Sequence, residues 1–136
     1  MTGRRSHFRV GVVGLGRGLA VARAVRAVPD AKLVAVADLL PERRAAAARE
    51  FGDVACYDHH GAMLRHAALD VIVVATLGLQ HREPVVDAAA AGVRGVYVEK
   101  PMATSLADCD AMIAACGAAG AVLTVGHQRR LSLIHI

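Results

Sequence analysis

Tryptophan is absent from this 136-residue chain, and its aromatic residues are Phe8, Phe51, Tyr57 and Tyr97. A surface that binds nucleic acid by stacking needs aromatic rings set among basic side chains. Here the basic residues, mostly arginines, are spread over predicted helices without such rings, so the net charge of +4 is read as suiting a small phosphate-bearing ligand and not nucleic acid. Long apolar runs are also lacking. The chain is 55% hydrophobic, but much of this is alanine, and the longest candidate, Val71 to Leu79, falls well short of the roughly 18 residues of a membrane span. The arginines of Met1 to Arg9 have no apolar segment behind them, which argues against a secretory signal and makes a cytoplasmic protein the expectation. Cysteine is scarce: Cys56, Cys109 and Cys116 are odd in number and fit no metal spacing, so reduced buried thiols are expected.

What is present is a repeated alternation. The valine-rich run Phe8 to Gly14 breaks into the glycines of Gly14-Leu15-Gly16-Arg17-Gly18, and an alanine-rich helical segment, Leu19 to Val28, follows at once. This order reads strand, tight turn, helix. Gly14 and Gly16 have no Cβ to keep an anion from the backbone, and the unpaired N–H groups and positive dipole end of the helix would face it. The form is GxGxxG with Leu19 at the last glycine position, so a small residue stands there only if the turn shifts by one, to Gly18 or Ala20.

Five further strands are predicted: Lys32 to Asp38, Val54 to Tyr57, Asp70 to Thr76, Gly95 to Glu99 and Ala121 to Val125. Helices are predicted between them: Pro41 to Phe51 with Gly52 as terminator, a brief one capped by Asp58 and running through Arg65, Glu83 to Ala91, and one from Thr104 or Ser105 to about Cys116. Ser105 and Asp108 make a weak capping box. Near-continuous apolar strands are those of a parallel sheet covered on both faces. The fold class is therefore α/β, a doubly wound parallel sheet in the order 3-2-1-4-5-6, within one domain. His59, His60 and His66 suggest a metal cluster. Neighbours on a short helix diverge by about 100°, however, and no carboxylate or cysteine partner is evident, so solvated surface is expected and no metal site.

In such a sheet, ligands bind beyond the carboxyl ends of the strands. Asp38 ends the second strand 24 residues after Gly14, where a carboxylate can accept hydrogen bonds from an adenosine ribose and repel a 2′-phosphate. Leu39 follows it, which favours NAD. Arg43 and Arg44 on the next helix leave NADP possible. Glu99-Lys100-Pro101 sets two opposite charges at the end of an apolar strand, which is costly unless they are used. A lysine ammonium there could orient a substrate hydroxyl and stabilise negative charge on its oxygen. Acting as a base, it would need a pKa lowered from about 10.4. A surface ion pair is the alternative.

Together, Val10-Gly11-Val12-Val13-Gly14-Leu15-Gly16, Ala35-Val36-Ala37-Asp38 with Pro41-Glu42-Arg43, Val74-Ala75-Thr76 with His81, Glu99-Lys100-Pro101-Met102-Ala103 and Val125-Gly126-His127-Gln128-Arg129-Arg130 resemble the nucleotide-binding half of the Gfo/Idh/MocA oxidoreductases. The resemblance covers Phe8 to Arg130. It implies hydride transfer between a nicotinamide cofactor, NAD or NADP, and a sugar or polyol hydroxyl or carbonyl. Gly14, Leu15, Gly16, Arg17 and Asp38 would bind the dinucleotide, and Thr76 and His81 would line it. Glu99 would lie beside the nicotinamide and orient Lys100, the catalytic residue, which would contact both substrate and cofactor. Arg130 would match an arginine at the crossover to a second domain, and the Lys100-Pro101 peptide would be cis.

Leu77 replaces a usual proline, Gly78 an asparagine, and the tail Leu131 to Ile136 departs from the family. The family's second α/β domain, with its substrate contacts, acid–base histidine and oligomer interface, is not in this sequence. Residues 1–7 are thus expected to be a flexible N-terminus, 8–130 the dinucleotide-binding domain and 131–136 a truncated tail, the whole a fragment inactive alone. The rival readings are a non-catalytic dinucleotide-binding module and an S-adenosylmethionine-dependent methyltransferase domain, the latter opposed by the Glu-Lys-Pro run and by six strands in place of seven.

Overall fold

The computed structural model describes residues 7–131. The expectations for residues 1–6 and for the tail beyond Leu131 lie outside the described residues. Six strands, β1 (Phe8–Val13), β2 (Ala31–Ala37), β3 (Ala55–Tyr57), β4 (Val71–Val74), β5 (Gly95–Val98) and β6 (Val122–Val125), form one sheet. Its order is β3-β2-β1-β4-β5-β6, and every pairing is parallel. This is the predicted doubly wound order.

Strand periodicity divides the core between the two faces. Val10, Val12, Val36 and Val73 point into one apolar cluster with Leu33, Ala22, Ala47 and Phe51, which brings α1 (Gly18–Arg26) and α2 (Pro41–Phe51) onto that face. Their neighbours Val13, Ala35, Ala37, Ile72 and Val74 point to the other face. There they meet Met63 of α3 (His60–His66), Val85, Ala88 and Ala89 of α4 (Arg82–Ala90), and Met112 and Cys116 of α5 (Leu106–Ala119). Alanine-rich helix faces let the helices approach the sheet closely. The covering helices change sides between β1 and β4, which opens a crevice at their carboxyl ends.

The ends of elements follow local chemistry. Pro41 opens α2, and Gly52 (φ 67°) closes it. Ser105 caps α5 by accepting the Asp108 backbone N–H at 3.1 Å, and α5 runs three residues beyond the predicted Cys116, to Ala119, with Gly120 (φ 67°) as its C-cap. Asp58 does not cap α3. The cap is His59, whose Nδ1 accepts the Gly61 N–H at 3.1 Å, because the helix begins one residue later than its acid suggested. The segment after β6 contains a 3₁₀ turn, Gln128–Leu131. Cys56 and Cys109 are half-buried and Cys116 buried, all as free thiols, and burial pushes the Cys56 and Cys116 thiols up from their ordinary pKa.

Met112 is fully buried where α5 packs on the sheet. Met112→Ala is expected to lower unfolding free energy by about 2–5 kcal/mol, read from the midpoint of urea denaturation with an unchanged slope.

Candidate functional site

The turn after β1 is held by close packing. Gly14 has φ 86°, and a Cβ on it would sit 2.8 Å from the carbonyl carbon of Ala75, so the backbone of β1 passes directly against the end of β4. Gly18 opens α1, and a Cβ there would sit 2.9 Å from Val12 Cγ1. The small residue that lets helix and strand touch is thus Gly18, one place earlier than the usual spacing, which is how the turn tolerates Leu19. Gly16 lies exposed between them. Arg17 stands at the start of α1, whose first turn has no acidic residue and no side-chain cap.

Asp38 is buried beneath this turn at 7% exposure. Its Oδ2 accepts the Leu15 N–H at 2.7 Å, and its Oδ1 accepts the Leu40 N–H at 2.8 Å. The Arg43 guanidinium reaches Oδ2 at 3.4 Å. Leu15 thus contributes its backbone to the Asp38 clamp and its side chain to the core. Three contacts on a carboxylate with about four lone-pair sites leave Oδ1 able to accept one more donor.

These groups line a cleft of about 570 Å³. Gly14, Gly16, Arg17, Asp38, Arg43, Thr76, Leu77, Gln80 and Glu83 are among the residues of its wall. The other predicted residues stand away from this wall. His81 is fully buried, with Nε2 3.0 Å from the Thr76 carbonyl and Nδ1 3.1 Å from the Met102 carbonyl. Its ring ties the loop after β4 to the loop after β5 and does not present a surface to the cleft. Pro101 packs against Gly78, where a Cβ would lie 3.1 Å from the proline ring, so the residue that departs from the family pattern makes room for the Glu-Lys-Pro loop. The Lys100-Pro101 peptide is cis. Arg130 is exposed in the turn beyond β6.

Glu99 and Lys100 do not form the ion pair considered from sequence. Glu99 is 8% exposed. Its Oε1 accepts the Tyr97 hydroxyl at 3.1 Å, and its Oε2 accepts the Lys100 backbone N–H at 3.3 Å. Lys100 is exposed, and its ammonium has no partner among the described residues. Burial first, and then Glu99, push the Tyr97 phenol above its ordinary pKa, so the hydroxyl stays protonated and donates. Tyr97 and Gly126 were not picked out from sequence as site residues. Tyr97 lies two residues before Glu99, on the same face of β5, and a Cβ on Gly126 would land on its hydroxyl.

The expected solvated surface holds for His59 and His66, which are exposed, and is corrected at His60. His60 is buried at 6% exposure, with Nε2 2.8 Å from Asp87 Oδ2. The rings of His59 and His60 lie 4.1 Å apart. The 100° rule fails because His59 is extended (φ −144°, ψ 146°) and stands outside the helix, and the carboxylates come from α4, a later element. His66 is exposed and stacks on Tyr57 at 6.4 Å.

A dinucleotide fits this arrangement on three counts. The glycine turn leaves backbone accessible, the first turn of α1 is free of negative charge, and Asp38 retains an acceptor position facing a cleft of cofactor size. Asp38, Gly14, Gly16 and Arg17 would hold it.

The profile of an oxidoreductase family with an NAD-binding Rossmann fold matches residues 8–127. Among curated proteins, the chain is 42% identical over 105 residues to D-apiose dehydrogenase of Paraburkholderia graminis, covering 77% of this chain and 28% of that protein. It is 37% identical over 120 residues to 2,7-anhydro-N-acetylneuraminate hydratase of Escherichia coli, covering 86% of this chain and 31% of that protein. The WlbA dehydrogenase of Bordetella pertussis, solved with NADH and UDP-GlcNAcA, superposes with a TM-score of 0.86 at 34% identity, over 95% of this chain and 39% of that one. The chain thus spans about a third of the length of the proteins it matches. With the glycine turn, the buried acid after β2 and the Glu-Lys-Pro loop on one sheet edge, the chain belongs to the Gfo/Idh/MocA oxidoreductases, and residues 8–127 match their NAD-binding Rossmann domain.

Proposed function

We propose that this domain binds NAD in preference to NADP and serves an enzyme that moves hydride between the nicotinamide and a CH–OH carbon of a sugar or polyol. The observation that carries the cofactor preference is Asp38, buried and anchored by Leu15 and Leu40, with one acceptor position left toward the cleft. A fixed carboxylate there accepts ribose hydroxyls and repels a 2′-phosphate. The pull of Arg43 on Oδ2 moderates that repulsion without removing it.

The nicotinamide, when bound, accepts or donates the hydride. The residues of this chain supply position and charge. Thr76, on the loop that His81 secures, lines the same cleft. Glu99, held by Tyr97, keeps the strand end in place so that Lys100 projects free of internal partners. An unpaired ammonium can donate a hydrogen bond to a substrate oxygen and steady charge that develops on it. Substrate contacts beyond Lys100, and association into oligomers, are assigned to sequence outside this domain. A relative named as a hydratase supports a second reading, in which the whole protein's net reaction adds water to a sugar. Steady NADH accumulation during turnover favours the dehydrogenase, and product without NADH change favours the hydratase.

Titration of the purified chain, followed by nicotinamide fluorescence, is expected to show saturable NADH binding that is tighter than NADPH binding. Asp38→Asn is expected to weaken NADH by roughly 10–150-fold, the equivalent of a charged hydrogen bond of about 1.5–3 kcal/mol. Equal affinity for both cofactors, or an unmoved Asp38→Asn variant, would overturn the NAD assignment. With the chain joined to a substrate-binding domain, Lys100→Ala is expected to cut kcat by about 10²–10⁴-fold while NADH affinity changes little. Retained kcat would remove Lys100 from the chemistry, whereas NADH binding without turnover in the joined protein carrying Lys100 would favour a non-catalytic binding module.

A further inference from the structure

In the wall of the same cleft, the β3–α3 junction meets the first turn of α4 and places His59, His60 and Glu83 together. One ring nitrogen of each histidine and one carboxylate oxygen of Glu83 lie within 4.8 Å of one another. We propose that these three side chains bind one divalent transition-metal ion of the Zn²⁺ type at the cleft wall, with Asp87 as the outer partner that orients His60.

The roles follow from the hydrogen bonds. A carboxylate accepts, so His60 donates its Nε2–H to Asp87, which in the neutral tautomer places the ring's lone pair on Nδ1. That Nδ1 has no partner among the described residues, and no wholly buried side-chain nitrogen or oxygen among them lacks one. It therefore opens to the solvent of the cleft. A histidine held by a carboxylate through one nitrogen, with the other free, is the usual form of an oriented metal ligand. Glu83 is exposed and makes no ion pair with the described residues, so its charge is available.

Ligand atoms around a tetrahedral ion at about 2.0–2.2 Å stand roughly 3.3–3.6 Å apart. The cluster must therefore close by no more than about 1.5 Å, which rotation of the two exposed side chains, His59 and Glu83, can supply. Two imidazoles and one carboxylate favour zinc and its neighbours over magnesium or calcium, and three protein ligands leave a fourth position open. Both histidines and Glu83 line the cleft, so that position faces its interior. His59 must yield its capping bond. If Nδ1 ligates, its lone pair leaves the Gly61 N–H; if Nε2 ligates, Nδ1 takes the ring proton. Metal binding thus exchanges the cap of α3 for a link between α3 and α4.

The test needs no nucleotide, so its outcome is separate from that of the cofactor reading. The untagged chain is titrated with Zn²⁺ against a chromophoric chelator and, in parallel, with Co²⁺ in the visible range. One equivalent is expected to bind, with ligand-field bands and no thiolate charge-transfer band. Asp87→Asn should weaken binding by about 10–100-fold. Glu83→Gln and His59→Ala, both at exposed positions, should weaken it at least tenfold. His60→Ala should abolish it, and His66→Ala should leave it unchanged. If His60→Ala proves unfolded by circular dichroism, the two exposed variants decide. No binding, unchanged affinity in Glu83→Gln and His59→Ala, or a thiolate band pointing to a cysteine would overturn the site.

Discussion

One buried carboxylate sets the shape of the cleft. Asp38 sits beneath the glycine turn and takes the Leu15 and Leu40 N–H groups on its two oxygens, so it fastens the end of β1 to the end of β2. A carboxylate that is 7% exposed would be costly to desolvate alone. Two backbone donors and the nearby Arg43 offset that cost. The same contacts aim what remains of the carboxylate at the cleft. Its structural role and its role toward a ribose are therefore one arrangement: the interactions that let the acid be buried also fix where its free lone pair points.

The loops after β4 and β5 are organised on a similar principle, with buried polar side chains spent on holding the loop in place. His81 spans the Thr76 and Met102 carbonyls, and the Tyr97 hydroxyl and Lys100 N–H share the two oxygens of Glu99. Neither His81 nor Glu99 lines the cleft. Each holds a loop in a place where another residue can act, Thr76 in one case and Lys100 in the other. The contrast between buried, paired Glu99 and exposed, unpaired Lys100 is what makes the lysine available to a ligand.

Much of this was legible in the chain. Alternating valine-rich strands and alanine-rich helices, with α2, α4 and α5 stopped by glycine and α2 and α5 started by proline or serine, imply a covered parallel sheet because such strands bury both faces there. The strand order follows from right-handed crossovers and the change of side after β1. The residues of the glycine turn, Asp38 and the Glu-Lys-Pro run could be picked out because each breaks an apolar pattern at a strand end. What could not be read was which polar group pairs with which. Asp58 looked like the cap of α3 because acids favour that position, but the helix starts one residue later and a histidine nitrogen serves. Lys100 and Glu99 are adjacent in sequence, yet successive residues of an extended strand end point apart, and the glutamate turned instead to Tyr97, two residues back.

The amino-acid order by itself determined the elements, their sequence along the sheet and the edge where ligands gather, since these depend on local propensity and on periodic burial. Tertiary structure decided everything that depends on contacts between distant segments. Gly18 replaced the usual glycine position because Val12 and Ala75 left no room for a side chain there. His60 became a buried partner of Asp87 rather than a surface residue because α4 packs across the start of α3. Glu83, far along the chain, came to stand beside two histidines. Hydrogen bonds and metal-type clusters are short-range in space and indifferent to separation in sequence, so their partners emerge when the sheet has brought the segments together.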